Sequence, residues 1–290
     1  MADWPAQADY RDALQNVATA LRADVLHVCP DGEVERNKMK VPRARAGAFA
    51  TVYKLICPGG GATALKLFNF PSPDRERRYR AVDTFIRGLG KNQPAGLVGF
   101  RYESEGIFVK VRGQRMAFPV QTMDWVKGES LGKWFIDAMT RKDTAAVRKM
   151  ADLWAQLVDG LQRARIAHGD LQHDNVMVVN NAPMLVDYDG MVVPELEGDD
   201  QLEFGKPAYQ HPKRVEQKLS LGIDHFSAWV ILIALRAAAA DPGLFTRYNV
   251  QTDNENLLFT GDDLSSPKTS ALWGELLKFK ADPDVPGWAD

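Results

Sequence analysis

Acidic, amide and imidazole side chains crowd into one short stretch, His168-Gly169-Asp170-Leu171-Gln172-His173-Asp174-Asn175, and twelve residues after Asn175 comes Asp187-Tyr188-Asp189-Gly190. Carboxylate and amide oxygens are ligands for hard cations such as magnesium, and a positioned carboxylate can take the proton of an attacking hydroxyl. Phosphoryl transfer needs both. Asp170 suits the proton acceptor, and Asn175 and Asp187 suit a magnesium ion bridging phosphates. Taken alone, an Asp–Asn pair in a loop is more often a turn, so the surrounding elements must decide.

Lys149 to Ile166 places Met150, Leu153, Trp154, Leu157, Val158 and Leu161 on one face, which predicts a long amphipathic helix ending just before His168. Val176 to Val179 and Met184 to Val186 read as short strands around an Asn180-Asn181 turn, so the acidic cluster falls between a helix and a hairpin. Asp224 to Ala240 and Ser270 to Lys280 are further helices, the first apolar enough to be buried but broken by Arg236 and too short to span a bilayer. The first half has another texture. After a predicted helix at Asp9 to Arg22, Phe49 to Ile56 and Ala62 to Phe70 read as strands around Pro58-Gly59-Gly60-Gly61. Asp74 to Leu89 reads as a helix, and Leu97 to Tyr102, Ile107 to Val111 and Phe118 to Trp125 as strands. A strand-rich half before a helix-rich half implies an α+β fold of two lobes.

The bulk properties narrow the function. A chain of 290 residues with 45% hydrophobic content can bury a sizeable core. With 36 basic against 38 acidic residues, a general nucleic-acid binder is not expected. Cys29 and Cys57 show no metal-ligand spacing and no disulfide framework, so a reducing cytoplasm is the expected compartment. Neither a signal peptide nor a membrane span is expected.

The cluster resembles the catalytic loop and the metal-binding Asp motif of the protein-kinase superfamily, and other segments follow in that family's order. Ala64-Leu65-Lys66 resembles the strand lysine that neutralises phosphate charge, and the resemblance implies a helix glutamate as its partner, Glu76, with Asp83 as competitor. Met123-Asp124-Trp125-Val126 is similar to a kinase hinge, whose backbone at Asp124 and Val126 would bind the adenine edge. Gly205-Lys206-Pro207-Ala208-Tyr209-Gln210-His211-Pro212 resembles the segment supporting a peptide substrate. Asp224-His225-Phe226-Ser227-Ala228-Trp229 resembles the start of the buried helix that anchors the catalytic loop. The resemblance implies a bilobal α+β kinase-like fold, with residues 1–44 an extension carrying a helix, 45–126 the β-rich lobe and hinge, and 127–290 the mostly helical lobe. It implies ATP and Mg2+ as cofactors, with Gly47, Val52, Ala64, Lys66, Glu76, Met123, Asp124 and Val126 around the nucleotide. A cytoplasmic Ser/Thr protein kinase is expected. Trp4-Pro5, Arg77-Arg78-Tyr79-Arg80 and the HGDLQH loop are similar to a bacterial stand-alone subgroup whose partners include a metal-dependent protein phosphatase and a von Willebrand A-domain protein.

The departures are specific. The glycine-rich segment, Arg45-Ala46-Gly47-Ala48-Phe49-Ala50-Thr51-Val52-Tyr53, has Arg45 and Ala50 where glycines are usual. Gly169 replaces an arginine, Gln172 a lysine, Asp189 a glycine, and His211-Pro212-Lys213 stands for Ala-Pro-Glu. Because Gln172 is neutral, Lys206 is considered as a relocated catalytic charge that would approach Asp170. The acidic run Glu195, Glu197, Asp199, Asp200 and Glu203 reads as a solvated loop, or as a preference for basic substrates. A nucleotide-binding pseudokinase and a small-molecule kinase are the competing readings. Joint retention of Lys66, Asp170, Asn175 and Asp187 speaks against the first, and the Gly205–Pro212 segment against the second.

Overall fold

A computed structural model describes residues 4–47, 49–201, 205–214, 218–248 and 256–289. The chain forms two compact units, Met1–Gly88 with Val98–Trp125, and Leu89–Leu97 with Val126–Asp290. One is rich in strands and the other mostly helical, the α+β class that the pattern implies.

The first unit is built on a six-stranded antiparallel sheet: β1 (Glu33–Val34), β2 (Ala44–Ala46), β3 (Ala50–Cys57), β4 (Gly61–Phe68), β5 (Phe100–Val111) and β6 (Gln114–Asp124), in the order β1-β3-β4-β6-β5 with β2 also on β3. Side chains alternate across a strand. Leu65 and Leu67 of β4 therefore join Tyr53, Leu55, Ile107 and Val120 in a buried cluster, with Tyr10, Leu14 and Val25 of the N-terminal segment packed into it. Residues before the sheet thus belong to this unit's core. Tyr10 Oη and Trp4 Nε1 both donate to the Phe68 carbonyl, at 2.9 and 2.6 Å. The opposite face carries Phe68, on which Tyr79 of the helix Arg75–Leu89 packs, and Tyr79 also stacks on Tyr102 at 5.3 Å.

Three expectations change here. The single helix expected over Asp9 to Arg22 is two short ones, α1 (Gln7–Ala13) and α2 (Val17–Ala20), with a third, α3 (Ala23–Leu26), beyond it. Asn16 breaks the run by accepting from Thr19 N–H, a capping bond that competes with helix continuation. The strands expected at Leu97–Tyr102 and Ile107–Val111 are one strand, β5, with an irregularity between Glu103 and Ile107. Leu97 instead bridges Leu185 in the second unit. Cys29 and Cys57 form a disulfide, with Cα atoms 5.3 Å apart and a sequence separation of 28. Spacing alone could not reveal it because the sheet brings the two together, and the pairing removes the ground for expecting a reducing compartment.

The helix Arg75–Leu89, α4, lies in the first unit but for its last residue; the second unit takes in Leu89–Leu97 and resumes at Val126. A helix that the sequence pattern missed, α5 (Leu131–Thr140), is capped by Ser130. The long amphipathic helix is α6 (Thr144–Arg163); it starts earlier than its apolar face suggests because Asp143 caps it by accepting from Ala146 N–H. Met150, Trp154, Leu157 and Leu161 are buried as expected, and Trp154 Nε1 donates to the Ala228 carbonyl of α7 (His225–Ala240) at 3.0 Å. The helix expected from Ser270 is shorter, Ala271–Leu276. Buried Asp282 joins α6 and α7 through Arg148 at 2.8 Å and Arg236 at 2.9 Å.

Burial opposes the Asp282 charge, but hydrogen bonds from Arg236 and Asp284 N–H, with the Arg236 and Arg148 charges, hold its carboxyl below the usual range. A lowered folded pKa gives stability that is present above the unfolded value of about 3.9 and is lost as pH falls through the folded value. Asp282→Asn is expected to cost about 2–4 kcal/mol in urea unfolding at pH 7, allowing for the partly exposed Arg148. The gap to wild type should close on acidification below about pH 4. A gap that stays constant down to pH 3 would refute the electrostatic role.

Candidate functional site

The loop bearing Asp170 hangs from one buried carboxylate. Beyond α6, Arg165 reverses the chain in a left-handed conformation (φ 57°), and Ala167 pairs with Val192. The N–H groups of His168 and Gly169 then both donate to Asp224 at the head of α7, the Gly169 bond measuring 2.9 Å. Burial pushes the Asp224 carboxyl pKa up, opposed by His168, by these two backbone donors and by Arg214. Gly169 lies at φ 83°, and a Cβ there would overlap the Gly190 carbonyl, so no arginine fits at this position.

A cation reaches the loop from elsewhere. Arg214, buried, donates from Nη2 to the Gly169 carbonyl at 3.0 Å, from Nε to Gln201 Oε1 at 3.3 Å and from Nη1 to Gln210 Oε1. Burial lowers its pKa, and the charges of Asp224 and Asp170 oppose that shift. Sequence reasoning missed Arg214 because it follows a motif that had lost its usual glutamate.

Asp170 and its neighbours are interlocked. Gln172 Nε2 donates to Asp170 Oδ2 at 3.1 Å, and Asn175 Nδ2 donates to the same oxygen and to the Asp170 carbonyl, both at 2.9 Å. With its NH2 so committed, Asn175 keeps Oδ1 for a cation. The hairpin of β8 (Val176–Val179) and β9 (Ala182–Leu185) pairs Val176 with Leu185, and Val186 N–H donates to the Asn175 carbonyl at 3.0 Å. Asn175 and Asp187 therefore meet at the open end of one hairpin. Asp187 sits in the left-handed region (φ 64°, ψ 79°), a costly conformation for a non-glycine residue that tends to mark functional positions. Among the described residues no cluster of three His, Cys, Asp or Glu could hold a metal. One amide and one carboxylate suit magnesium, which keeps waters and phosphate oxygens as its other ligands.

The Lys206 amine pairs with the half-exposed Asp174 carboxylate at 2.7 Å, and Gly205 packs over Asp170. His173, fully buried, contacts the Tyr209 hydroxyl through Nδ1 at 2.5 Å.

In the first unit, β3, β4 and β6 bring together four expected nucleotide residues: Val52 pairs with Lys66, and Ala64 with Met123. Lys66 shares its face of β4 with Ala64 and Phe68. The Glu76 carboxylate bonds Arg80 one helical turn on, at 2.8 Å, the favoured i, i+4 pairing in a run crowded with arginines. Asp83 is buried and engaged by Arg87 at 3.0 Å and Arg101 at 3.6 Å. The turn at Gly47 is held by Gly47 N–H to the Ala50 carbonyl at 2.8 Å and by Asn69 Nδ2 to the Gly47 carbonyl at 3.1 Å. Ala48 lies outside the described residues, as does Glu203 of the acidic run. At the end of β6, Gly99 N–H donates to the Asp124 carboxylate at 2.9 Å and Asp124 N–H donates to the Gly99 carbonyl at 3.0 Å. Val126 is the first residue of the second unit after this crossing.

No family model matches the chain, and no curated protein matches it. Among solved structures, the Cydia pomonella granulovirus kinase PK-1 aligns over 75% of this chain and 73% of its own, at 15% identity and a TM-score of 0.49.

Arg214→Lys keeps the charge but loses the planar fork that makes three bonds at once. Its unfolding midpoint should drop by about 5–10 °C, and an unchanged midpoint would show that those bonds carry nothing. The segment Asp187 to Pro212 contains no Ser or Thr, and its two tyrosines are buried with engaged hydroxyls, Tyr188 on the Leu185 carbonyl at 3.2 Å and Tyr209 on His173. Mass spectrometry after incubation with Mg-ATP is expected to find no phosphate on either tyrosine; an activating phosphate there would overturn this.

Proposed function

We propose that the chain is an ATP-dependent phosphotransferase of the protein-kinase type, acting on Ser/Thr hydroxyls of a protein. The observation that carries this reading is the asymmetry of Asp170: Oδ2 is held by Gln172 and Asn175, while Oδ1 is buried with no hydrogen-bond partner. A buried acceptor left unpaired costs about 1–3 kcal/mol, so its retention asks for an explanation. A substrate hydroxyl supplies one. The hydroxyl would donate to Oδ1 and pass its proton there as its oxygen bonds phosphorus. Asn175 Oδ1 and Asp187 would hold magnesium, which neutralises charge on the phosphates, and Lys66 would pair with phosphate oxygens. A protein acceptor is favoured by the Gly205–Pro212 segment, whose helical turn Pro207–Tyr209 is pinned by buried Tyr209 on His173.

Thermal shift with ATP, with and without magnesium, followed by transfer of radiolabelled phosphate, tests the assignment. Asp187→Ala should abolish magnesium-dependent stabilisation by ATP and turnover together. Asp170→Ala should keep nucleotide binding while transfer falls by roughly two to four decades. Unchanged transfer by purified Asp170→Ala protein would sink the mechanism.

A further inference from the structure

Beside the unpaired Asp170 oxygen lies an unpaired donor. Gln210 Nε2 is buried without a hydrogen-bond partner, as is Asp170 Oδ1. A Cβ built on Gly205 would overlap both atoms, so both pack against the Gly205 backbone and lie beside each other. The orientation of the Gln210 amide is settled by chemistry. Arg214 has only donors, and its Nη1 contacts the Gln210 amide, so the oxygen must face Arg214 and the NH2 must face away from it. An acceptor without a donor and a donor without an acceptor, close enough to be bridged by one oxygen atom, form a receptor for a hydroxyl group, which offers one of each.

We infer that Gln210 orients the acceptor hydroxyl of the reaction proposed above, on which this inference rests. The hydroxyl O–H donates to Asp170 Oδ1 while its oxygen accepts from Gln210 Nε2. One lone pair is thereby fixed and the other is left for attack. In the transfer, the hydroxyl oxygen bonds the γ-phosphorus, the bond from that phosphorus to the β–γ bridging oxygen breaks and releases ADP, and the hydroxyl proton moves to Asp170. Gln210 neither gains nor loses a proton. Arg214 is a positioning residue, since it touches only the far side of the amide. The pairing selects acceptors carrying an uncharged hydroxyl; an amine that is protonated at neutral pH presents no lone pair to Gln210.

Two measurements test this. A crystal structure of the full chain should show an ordered oxygen, from water or an acceptor hydroxyl, bonded to both Asp170 Oδ1 and Gln210 Nε2. An empty space, or a Gln210 amide turned away, overturns the inference. Gln210→Glu keeps the shape and an oxygen for Arg214 but removes the donor. With dephosphorylated casein and with water as acceptors, its kcat/KM for transfer should fall roughly tenfold to hundredfold, while KM for ATP stays within about twofold. Gly205→Ala, whose methyl would press on both atoms, should lose transfer in the same pattern. Wild-type kinetics in Gln210→Glu, or a parallel loss of ATP affinity and thermal stability, overturns the role of Gln210 alone. A wild-type protein that releases γ-phosphate to neither acceptor overturns the phosphotransferase reading, and this inference with it.

Discussion

A carboxylate cut off from water must find its hydrogen bonds within the protein, and Asp224 finds them in the backbone of the loop that carries Asp170. Two consecutive N–H groups aimed at one buried anion set the direction of the chain at His168 and Gly169. Nearly everything in the second unit's site follows from that direction. Gly169 must take a left-handed conformation, its α-carbon must rest against Gly190, and its carbonyl must turn to Arg214. The pair Asp224 and Arg214 thus brackets the loop with opposite charges on groups that burial alone would neutralise. Such an arrangement is expensive to assemble and hard to deform, qualities suited to holding one carboxylate oxygen still.

Much of this was legible in the residues. Helical spacing of apolar residues marked α6, a long apolar run marked α7, the Pro58–Gly61 turn between apolar stretches marked β3 and β4, and the Asn180-Asn181 turn marked the hairpin after Asn175. The anchoring role of Asp224 was legible through the resemblance of Asp224–Trp229 to the start of a buried helix that anchors a catalytic loop. What stayed hidden depended on tertiary neighbours. Glu76 pairs with Arg80 and Lys206 with Asp174, ion pairs that the sequence reading did not include. Arg214 and Gln210 carried no signal of their own; their importance comes from the atoms that folding places around them. The short α1 and α2 helices were hidden by a capping side chain, Asn16, in an otherwise helical pattern.

The first unit solves a related problem with different means. Its turn at Gly47 is poor in glycine, and sequence comparison alone would mark it as degraded. Asn69, at the end of the neighbouring strand, grips both sides of that turn: its side-chain amide holds the Gly47 carbonyl, its backbone N–H holds the Phe49 carbonyl, and its Oδ1 accepts from Thr51 at 3.0 Å. At the end of β6 the Asp124 carboxylate likewise accepts a backbone N–H, that of Gly99.

The Cys29–Cys57 bond also changes what counts as one piece of this chain. Between the two sulfurs the backbone passes through the turn around Met39, which is 78% exposed and so open to a protease. A cut there would sever the polypeptide without releasing anything. The N-terminal helices, with Tyr10 and Trp4 on the Phe68 carbonyl, would remain tied to β3 by sulfur after the peptide bond was gone. Nicked molecules would run as two fragments only after reduction. The segment that completes the first unit's core is therefore secured twice, by packing and by a covalent tie that does not run through the backbone.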